Sequence, residues 1–407
     1  MATLFQGMVR RLRIKLWETK DKSTMSKCNP ARQTVVILTI SDWDEPKRLR
    51  KQLAEVLSRD MDVVYVTLPF GLHKPRSDSD RMDGNIRIIS FAGPHIPFRF
   101  LHRFGAVRWV YERTLARRLN RFLKGAEVHS VFCFTQLHPS LLALFPREKV
   151  IYVANDDHAS MAESEQAANR ILADEARAIA LSSRVLSVSE VIARRLSQFG
   201  RPVHVMYPGH GCDVLPLTRF GDDERLPRSV CFFGYIDWRV DFELLAHMLE
   251  AGWLVSLIGQ EVSTGKQIQD LKSRFPGKFE VHPPMPSEIA PEMLARYQVL
   301  IMPYRYRNTA QAEVMELPNK TFVYLCAMRP VVTTWMPNLK LVEPGLIYRS
   351  KTNQEFIEAC ERAIQEDSEE YARRRSEIAR QNSWDGRRVV LKNLVDGELE
   401  VFGGGAK

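Results

Sequence analysis

The chain contains 407 residues and carries a net charge of +9, with 45% hydrophobic and 26% charged residues. This length predicts two folded domains, and the composition excludes a disordered or fibrous chain. No apolar run approaches about 18 residues and the N-terminus lacks a signal-peptide core, so we expect a cytoplasmic protein without a spanning helix. The six cysteines are scattered with no CxxC pair, which favours reduced thiols over disulfides or structural zinc.

The N-terminal half alternates short β-branched runs with helical patterns. Near-continuous apolar strands separated by helices are typical of a parallel sheet covered on both faces. The predicted strands are Val35–Ile40, Val63–Leu68, Ile86–Phe91, Val131–Phe134, Val150–Val153, Val185–Val188 and Val203–Tyr207. The predicted helices are Leu49–Leu57, Ala167–Ala180 and Ser189–Phe199, with Ser189 as the N-cap of the last.

The same alternation begins again in the C-terminal half. The predicted strands are Ser229–Phe233, Leu254–Ile258, Phe279–Val281, Val299–Met302 and Val331–Thr333. The predicted helices are Asp241–Glu250, Gln267–Arg274, Pro291–Tyr297, Pro318–Ala327, Gln354–Gln365 and Glu369–Ala379, with Asp241 as an N-cap.

Two successive β/α series predict an α/β protein with two Rossmann-like, doubly wound domains. We place an N-terminal domain at 30–207, a linker or hinge at 208–225 and a C-terminal domain at 226–380. Residues 1–29 form a basic tail or amphipathic helix, and 381–407 form a helix and tail that we expect to pack back towards the N-terminal domain. Because ligands of open parallel sheets bind at the carboxyl ends of the strands, the loops there are the candidate sites.

A helix that opens after a strand and a polar loop is the most informative segment, Glu316–Leu325. Pro318 suits a first helical position, and a helix N-terminus attracts phosphate through its free N–H groups. Lys320 is a cation in that first turn, which disfavours the helix unless an anion binds nearby. The alternative is an ordinary solvated lysine, and the spacing alone does not separate the two.

A pair of carboxylates, Asp156 and Asp157, directly follows the predicted strand at 150–153, with His158 beside them. Such a group can supply a general base. A helix N-cap followed by a first-turn acid is the simpler explanation of the same residues, and it is favoured on the residues alone.

Two glycine-containing turns are weaker candidates. Gly209, His210 and Gly211 lie where the two predicted domains meet and permit close approach of a ligand, although a tight linker turn explains them equally. Gly234 follows the first strand of the second domain, where a nucleotide can approach the backbone, but the segment is not the GxGxxG dinucleotide motif.

Basic residues concentrate in two partly amphipathic segments. Residues 1–29 hold seven basic residues against two acidic ones, and residues 97–124 hold eight against one. A basic amphipathic helix can lie on an anionic membrane surface. The alternatives are a disordered tail for 1–29 and an ordinary surface helix for 97–124. A nucleic-acid partner is not expected, because the basic segments lack interleaved aromatic residues on a recognisable module.

Several short segments, in order, resemble bacterial GT-B glycosyltransferases of polysaccharide assembly, and the closest likeness is to the xanthan glucuronosyltransferase family. Together they span about residues 40–335. They are Ser41–Arg48, Tyr152–Asp156, Pro208–Asp213, Met302–Tyr304, Asn319–Lys320 with its helix, and Arg329–Val332.

The resemblance implies a GT-B enzyme that moves a sugar, glucuronate or a hexose, from a nucleotide diphosphate to a lipid-linked oligosaccharide or polysaccharide. Asp156 matches the catalytic base of an inverting reaction, with Asp157 beside it. Donor-binding roles fall to the C-terminal domain, and Gly209–Gly211 lies at the hinge. The implied donor is a UDP-sugar, with no cofactor or metal required, and the implied location is the inner face of the plasma membrane. The residues implied for donor binding are Lys320, Asn319, Tyr304, Gly234 and Glu316.

The chain departs from the family pattern at two positions. Val323 stands where related transferases carry an acid that holds the nucleotide ribose, for which Glu313 or Glu316 could substitute, and Met328 stands where they carry glycine. Two other functions stay open. One is a retaining GT-B transferase, in which Asp156 is not a base, and the other is a non-catalytic binding protein on the same fold.

Overall fold

The computed structural model describes residues 32–45, 48–69, 77–93, 104–160, 162, 164–221, 225–305 and 310–403. Residues 1–32 and 33–407 cluster as separate units, and the fold below is that of 33–407. The predicted basic segment 1–29 and the first part of the segment 97–124 lie outside the described residues.

The N-terminal lobe is built on a sheet whose described strands run in the order β3-β4-β2-β1-β5-β6-β7-β8. Every pairing is parallel except β3 with β4. Its strands are β1 (Thr34–Thr39), β2 (Asp62–Thr67), β3 (Ser79–Asp83), β4 (Ile86–Ser90), β5 (Val128–Cys133), β6 (Val150–Ala154), β7 (Arg184–Ser187) and β8 (Val203–Val205). Its helices are α1 (Leu49–Leu57), α2 (Gly105–Phe122), α3 (Glu165–Ala180) and α4 (Glu190–Ser197).

The C-terminal lobe is built on a second sheet, in which the described strands are all parallel and run β11-β10-β9-β12-β13-β14. Its strands are β9 (Leu226–Phe233), β10 (Leu254–Ile258), β11 (Phe279–His282), β12 (Tyr297–Met302), β13 (Val331–Thr334) and β14 (Ile347–Ser350). Its helices are α5 (Phe242–Glu250), α6 (Gly265–Arg274), α7 (Ala290–Leu294), α8 (Ala310–Val314), α9 (Lys320–Cys326), α10 (Asn353–Gln365) and α11 (Glu369–Gln381).

The central strands are buried on both faces, as their composition predicts. All six residues of β1 are buried, and separate apolar clusters lie on the two sides of the first sheet. The prediction of two parallel sheets, each covered by helices, is therefore confirmed. Since the strands of such sheets share one direction, their carboxyl ends form a single edge where functional loops gather.

The chain crosses between the lobes twice, and the two crossings are bonded to each other. His210 N donates to the Asn382 carbonyl at 3.2 Å, and Trp384 N donates to the His210 carbonyl at 2.9 Å. The last helix, α12 (Trp384–Asp396), then packs into the apolar cluster of β1 and α1 in the N-terminal lobe. A Cβ at Gly209 would lie 2.9 Å from the Trp384 ring, so the close packing of the crossings needs glycine there.

Local signals predicted the helix starts well at two positions. Ser189 accepts a hydrogen bond from Ile192 N at 3.2 Å, and Asp241 accepts one from Leu244 N at 3.1 Å, which confirms both caps. Several predicted boundaries were wrong, most by one to three residues, and two of them concern the helices next to β12. The helix predicted from Pro318 begins at Lys320, and Tyr297, predicted as helical, opens β12 because its buried side chain continues the apolar face of that strand.

Candidate functional site

Each sheet has a point where the strand order reverses, and such points are the usual binding crevices of this architecture. In the second sheet the reversal lies at β9, between β10 and β12. Gly234 directly follows β9, and Tyr304 follows β12 after one proline. Two of the predicted donor-binding residues therefore meet at one switch point, although they are 70 positions apart in the chain.

Lys320 lies between these two strand ends. Its Nζ is 3.8 Å from the centroid of the Phe232 ring and 5.0 Å from that of Tyr304, in cation–π geometry. A Cβ built on Gly234 would approach Nζ to 2.7 Å. Gly234 also has φ of +141°, a conformation that favours glycine, so both the backbone and the available space require this residue.

The Lys320 ammonium is half-buried, and among the described residues it makes no ion pair within 4.0 Å. Burial lowers its pKa well below the usual range; the neighbouring Arg239 adds to this and Asp237 opposes it. Asp237 and Arg239 pair with each other in the loop after Gly234, with Oδ1 2.9 Å from Nε. Lys320 and Arg239 together place two cationic groups near the backbone at Gly234, where they can hold an anion.

The remaining residues of α9 differ in their surroundings. Asn319 is exposed at the N-cap position and makes no side-chain capping bond. Val323 is buried within the apolar cluster of the C-terminal lobe. Met328 is fully buried with φ of +56°, a left-handed backbone conformation that is strained for residues other than glycine.

Glu316 has a role that its sequence position does not reveal. Its carboxylate accepts from the backbone N–H groups of Glu190 at 2.7 Å and Val191 at 3.2 Å, in the first turn of α4. The Tyr207 hydroxyl donates to it at 2.9 Å. Burial, and then the bond to Glu316, raise the pKa of Tyr207 above its ordinary value, so this hydroxyl stays a donor. Glu316, only 2% exposed, thus joins the C-terminal lobe to a helix of the N-terminal lobe.

The two adjacent aspartates follow β6, one strand beyond the switch point of the first sheet. Asp156 is exposed, and its Oδ1 accepts from the Asp157 N–H at 3.0 Å. Asp157 faces the other way, with Oδ1 3.9 Å from a guanidinium nitrogen of Arg195 and 3.4 Å from the Ser160 N–H. Asp156 is therefore the carboxylate of the pair that is presented to solvent.

The switch point of the first sheet lies at β1, between β2 and β5, and carries residues to which the sequence analysis assigned no role. A small pocket after β1 is lined by Ser41, Asp42 and Arg50. Burial lowers the pKa of Arg50, while Asp156 is among the charges that raise it, so the two groups are electrostatic neighbours. After β5 lies His138, a 4%-exposed imidazole. Its position in the loop five residues after β5 was the available signal.

The hinge segment is tightly packed rather than open. His210 is buried, and its Nε2 lies 2.6 Å from the Ala379 carbonyl oxygen. Its ring stacks with Phe322 of α9 at 6.0 Å between centroids. Cys212 and Cys326 lie beside it, and the hydrogen bond from Cys326 lowers the pKa of Cys212. These contacts attach the crossing segment to α9 and α11.

An exposed apolar and basic stripe follows the length of α2. Trp109 is 60% exposed and Val110 is 53% exposed, and the Arg113 guanidinium lies 5.2 Å from the Trp109 ring centroid. Arg117 and Arg121 continue the exposed face one and two turns further on.

In the part of the chain that the structure describes, none of the helices combines the length and the apolar composition that a membrane crossing requires.

The architecture as a whole is that of the GT-B fold, as the sequence predicted. Neither a protein-family model nor a curated protein matches the chain. Several solved structures are similar to it in fold. Sucrose-phosphate synthase of Thermosynechococcus elongatus aligns with a TM-score of 0.65 and 16% identity over 90% of this chain and 99% of that one.

Two further structures have the same fold. HepE of Anabaena, solved in complex with UDP-glucose, aligns with a TM-score of 0.62 and 14% identity, over 89% of this chain and 99% of that one. The lipopolysaccharide outer core galactosyltransferase WaaB, in its apo form, aligns with a TM-score of 0.59 and 10% identity, over 90% and 100%. At these identities the likeness establishes the fold.

Proposed function

We propose that this protein is a glycosyltransferase that transfers a sugar from a nucleotide diphosphate, a UDP-sugar, to an acceptor hydroxyl. The observation that carries the proposal is Lys320, a half-buried cation without a described carboxylate partner at the switch point of the second sheet. A buried, unpaired ammonium is costly unless an anion neutralises it. HepE, of the same fold, is solved with UDP-glucose, which supports a nucleotide sugar as that anion.

The diphosphate of the donor binds between Lys320 and Arg239, against the backbone at Gly234. As the bond to the sugar breaks, negative charge grows on the diphosphate, and two fixed cations stabilise it more than they stabilise the intact donor. Tyr304 and Phe232 hold the ammonium in place through their ring faces. Asn319, exposed beside them, is available to the donor. The proposed reaction needs no metal, because these groups do the charge neutralisation.

On the N-terminal lobe, Asp156 acts as the base that removes the proton from the acceptor hydroxyl, which inverts the anomeric carbon. It is the solvent-facing carboxylate of its pair, while Asp157 fixes the loop through Arg195 and Ser160. Glu316 supports a common orientation of the two sites, because it joins the loop before α9 to the start of α4, which follows β7, the neighbour of β6.

Calorimetry of UDP binding tests the role of Lys320. Because burial depresses the pKa of Lys320, a bound diphosphate should draw a proton onto Nζ. The affinity for UDP should therefore fall as pH rises through the pKa that Lys320 has in the free protein. We expect Lys320→Met to weaken UDP binding by about 10- to 100-fold, the value of one charge-assisted bond, and to abolish proton uptake. Lys272→Met, on the exposed face of α6, is the matched control. Unchanged affinity in Lys320→Met refutes the site.

Transfer assays test the chemistry separately. Asp156→Asn should leave UDP affinity unchanged and lower turnover by about 10²–10⁴-fold, the usual contribution of a general base. Asp157→Asn should have the smaller effect of a positioning residue. NMR of the product anomer decides between inversion and the retaining alternative. A purified protein that binds UDP but neither transfers nor hydrolyses any sugar nucleotide would be a binding protein instead.

We further propose that α2 places the enzyme on an anionic membrane surface, where a lipid-linked acceptor is available. Trp109 and Val110 supply an apolar anchor, and Arg113, Arg117 and Arg121 supply charge on the same exposed face. Each such basic residue near an anionic surface contributes about 1 kcal/mol.

Vesicle co-sedimentation tests this surface. Arg113→Glu with Arg117→Glu should abolish salt-sensitive binding to vesicles that contain phosphatidylglycerol, while vesicles of phosphatidylcholine alone bind neither protein. The matched control, Lys266→Glu with Lys272→Glu on α6, makes the same charge change elsewhere and should bind like the wild type. Equal binding by all three proteins would contradict the assignment to α2.

A further inference from the structure

The buried side chains at the hinge contain three groups with metal-ligand chemistry. The described part of the chain has five cysteines, all buried, and two of them lie beside one imidazole. The ligand atoms of His210, Cys212 and Cys326 all lie within 4.8 Å of one another. We propose that these three side chains bind a thiolate-preferring cation of the Zn²⁺ type, which joins the hinge segment to α9.

The spacing of the ligand atoms agrees with such an ion. Zn²⁺ binds sulfur at about 2.3 Å and nitrogen at about 2.0 Å in tetrahedral geometry, which places the two ligand atoms about 3.5 Å apart. The Cys326 Sγ lies 3.4 Å from Nδ1 of His210. Only small side-chain movements are then needed to bring the second thiol into the same coordination sphere.

The tautomer of His210 is fixed in the form that a metal requires. Its Nε2 lies 2.6 Å from the Ala379 carbonyl, which can only accept, so Nε2 carries the proton and Nδ1 carries the lone pair. A ligating histidine usually donates its other N–H to a backbone carbonyl or carboxylate in this way. The Nδ1 lone pair accepts a 3.3 Å bond from the Cys212 N–H and lies 3.4 Å from the Cys326 Sγ, and a cation would replace both contacts.

The set of ligands selects the class of ion. Two thiolates and one imidazole favour Zn²⁺ and similar borderline-soft ions over Mg²⁺ or Ca²⁺, which prefer oxygen. Three protein ligands leave a fourth position, which water can occupy. This cluster could not be predicted from the pattern of residues, because its members come from a hinge and from a helix more than a hundred residues later.

The position of the cluster defines what the ion would do. Cys212 and His210 belong to the first crossing between the lobes, and the His210 backbone pairs with the second crossing at Asn382 and Trp384. Cys326 ends α9, the helix that begins at Lys320. A bound ion would therefore stiffen the hinge and hold α9 against it, a structural role that does not depend on the proposed reaction.

Cobalt substitution tests the site in the full-length protein. Metal-stripped, reduced protein should bind one Co²⁺ per chain and develop thiolate-to-cobalt charge-transfer absorption, which Zn²⁺ displaces. Cys212→Ser and Cys326→Ser should each bind Co²⁺ at least about tenfold more weakly, whereas Cys360→Ser, a buried thiol on α10, should bind as the wild type. Zn²⁺ should also raise the thermal midpoint of the wild type, with reversal by a chelator.

Two results would overturn the proposal. One is the lack of any thiolate charge-transfer band in the wild type, a measurement that does not depend on whether the variants fold. The other is a protein mass that is lower by two hydrogens before reduction, together with a pair of disulfide-linked peptides that contain Cys212 and Cys326. That result would identify a disulfide at the hinge instead.

Discussion

Replacing Glu316 by glutamine tests the strongest polar connection between the lobes. The substitution keeps the size and shape of the side chain but removes its charge and one of its two acceptor oxygens. Three donors now converge on this carboxylate, two backbone N–H groups of α4 and the Tyr207 hydroxyl. A glutamine amide can accept from one side only, so its NH₂ group must face at least one of these donors without forming a bond.

The magnitude follows from the bonds that are lost. A hydrogen bond to a charged group contributes about 1.5–3 kcal/mol, and a carboxylate at a helix N-terminus adds about 0.3–1 kcal/mol. One lost charge-assisted bond and the lost helix interaction therefore amount to about 2–4 kcal/mol. Surface charge changes rarely exceed about 0.5 kcal/mol, so an effect of this size is distinguishable.

Urea unfolding followed by tryptophan fluorescence measures this loss, and UDP calorimetry on the same variant separates stability from donor binding. We expect Glu316→Gln to lower the unfolding free energy by about 2–4 kcal/mol while UDP affinity stays within about threefold. Tyr207→Phe should lose about 1.5–3 kcal/mol, and the double variant should lose less than the sum, because the two share one bond. A stable Glu316→Gln protein that fails to bind UDP would refute the reasoning and return Glu316 to the donor site.

Three further predictions concern single residues elsewhere. Met328→Gly relieves about 1 kcal/mol of left-handed strain but removes a fully buried side chain worth about 2–5 kcal/mol, so urea unfolding should show a net loss. Glu112 is a buried residue of α2. Burial alone would raise its pKa, but hydrogen bonds from neighbouring side chains hold that pKa at about 2. The unfolding free energy that the ionised Glu112 carboxylate contributes is therefore complete above about pH 4.5 and is lost as pH falls towards 2. In urea titrations, the difference in unfolding free energy between wild type and Glu112→Gln should shrink over that range. Gly234→Ala should displace the Lys320 ammonium and strain the backbone, so calorimetry should show weaker UDP binding and urea unfolding should show a loss of stability.

The fold could be predicted because its determinants are local. Runs of β-branched residues mark the buried strands, and Ser189 and Asp241 mark helix starts that depend on a bond only three residues away. Strand β3 was not predicted, because it lacks such a local pattern. All five of its residues are exposed, so its sequence carries no apolar pattern, and it forms only because β4 offers a free edge.

The candidate site was only partly predictable. Gly234 and Lys320 could be singled out because a strand end and a helix start are visible in the sequence. The partners of Glu316 and of Cys326 could not be found, since they lie 126 and 116 residues away along the chain, and periodicity reports whether a side chain is buried but not what it contacts. Arg239 was missed although it follows Gly234 by five residues, because a single arginine in a loop has no pattern of its own.

The short segment from Glu316 to Lys320 explains why a lysine can stay unpaired beside a glutamate four residues earlier. In a continuous helix these two charges would face each other, but α9 begins only at Lys320, so Glu316 lies in the preceding loop and turns towards α4. The Glu316 carboxylate accepts hydrogen bonds from three donors of the N-terminal lobe and so does not pair with Lys320. In the proposed function, the Lys320 ammonium binds the donor on the C-terminal lobe instead. Any movement that separates the lobes must therefore break the bonds of Glu316 or move the loop that leads into Lys320. If the donor binds at Lys320 as proposed, lobe opening and donor binding are linked through the five residues from Glu316 to Lys320.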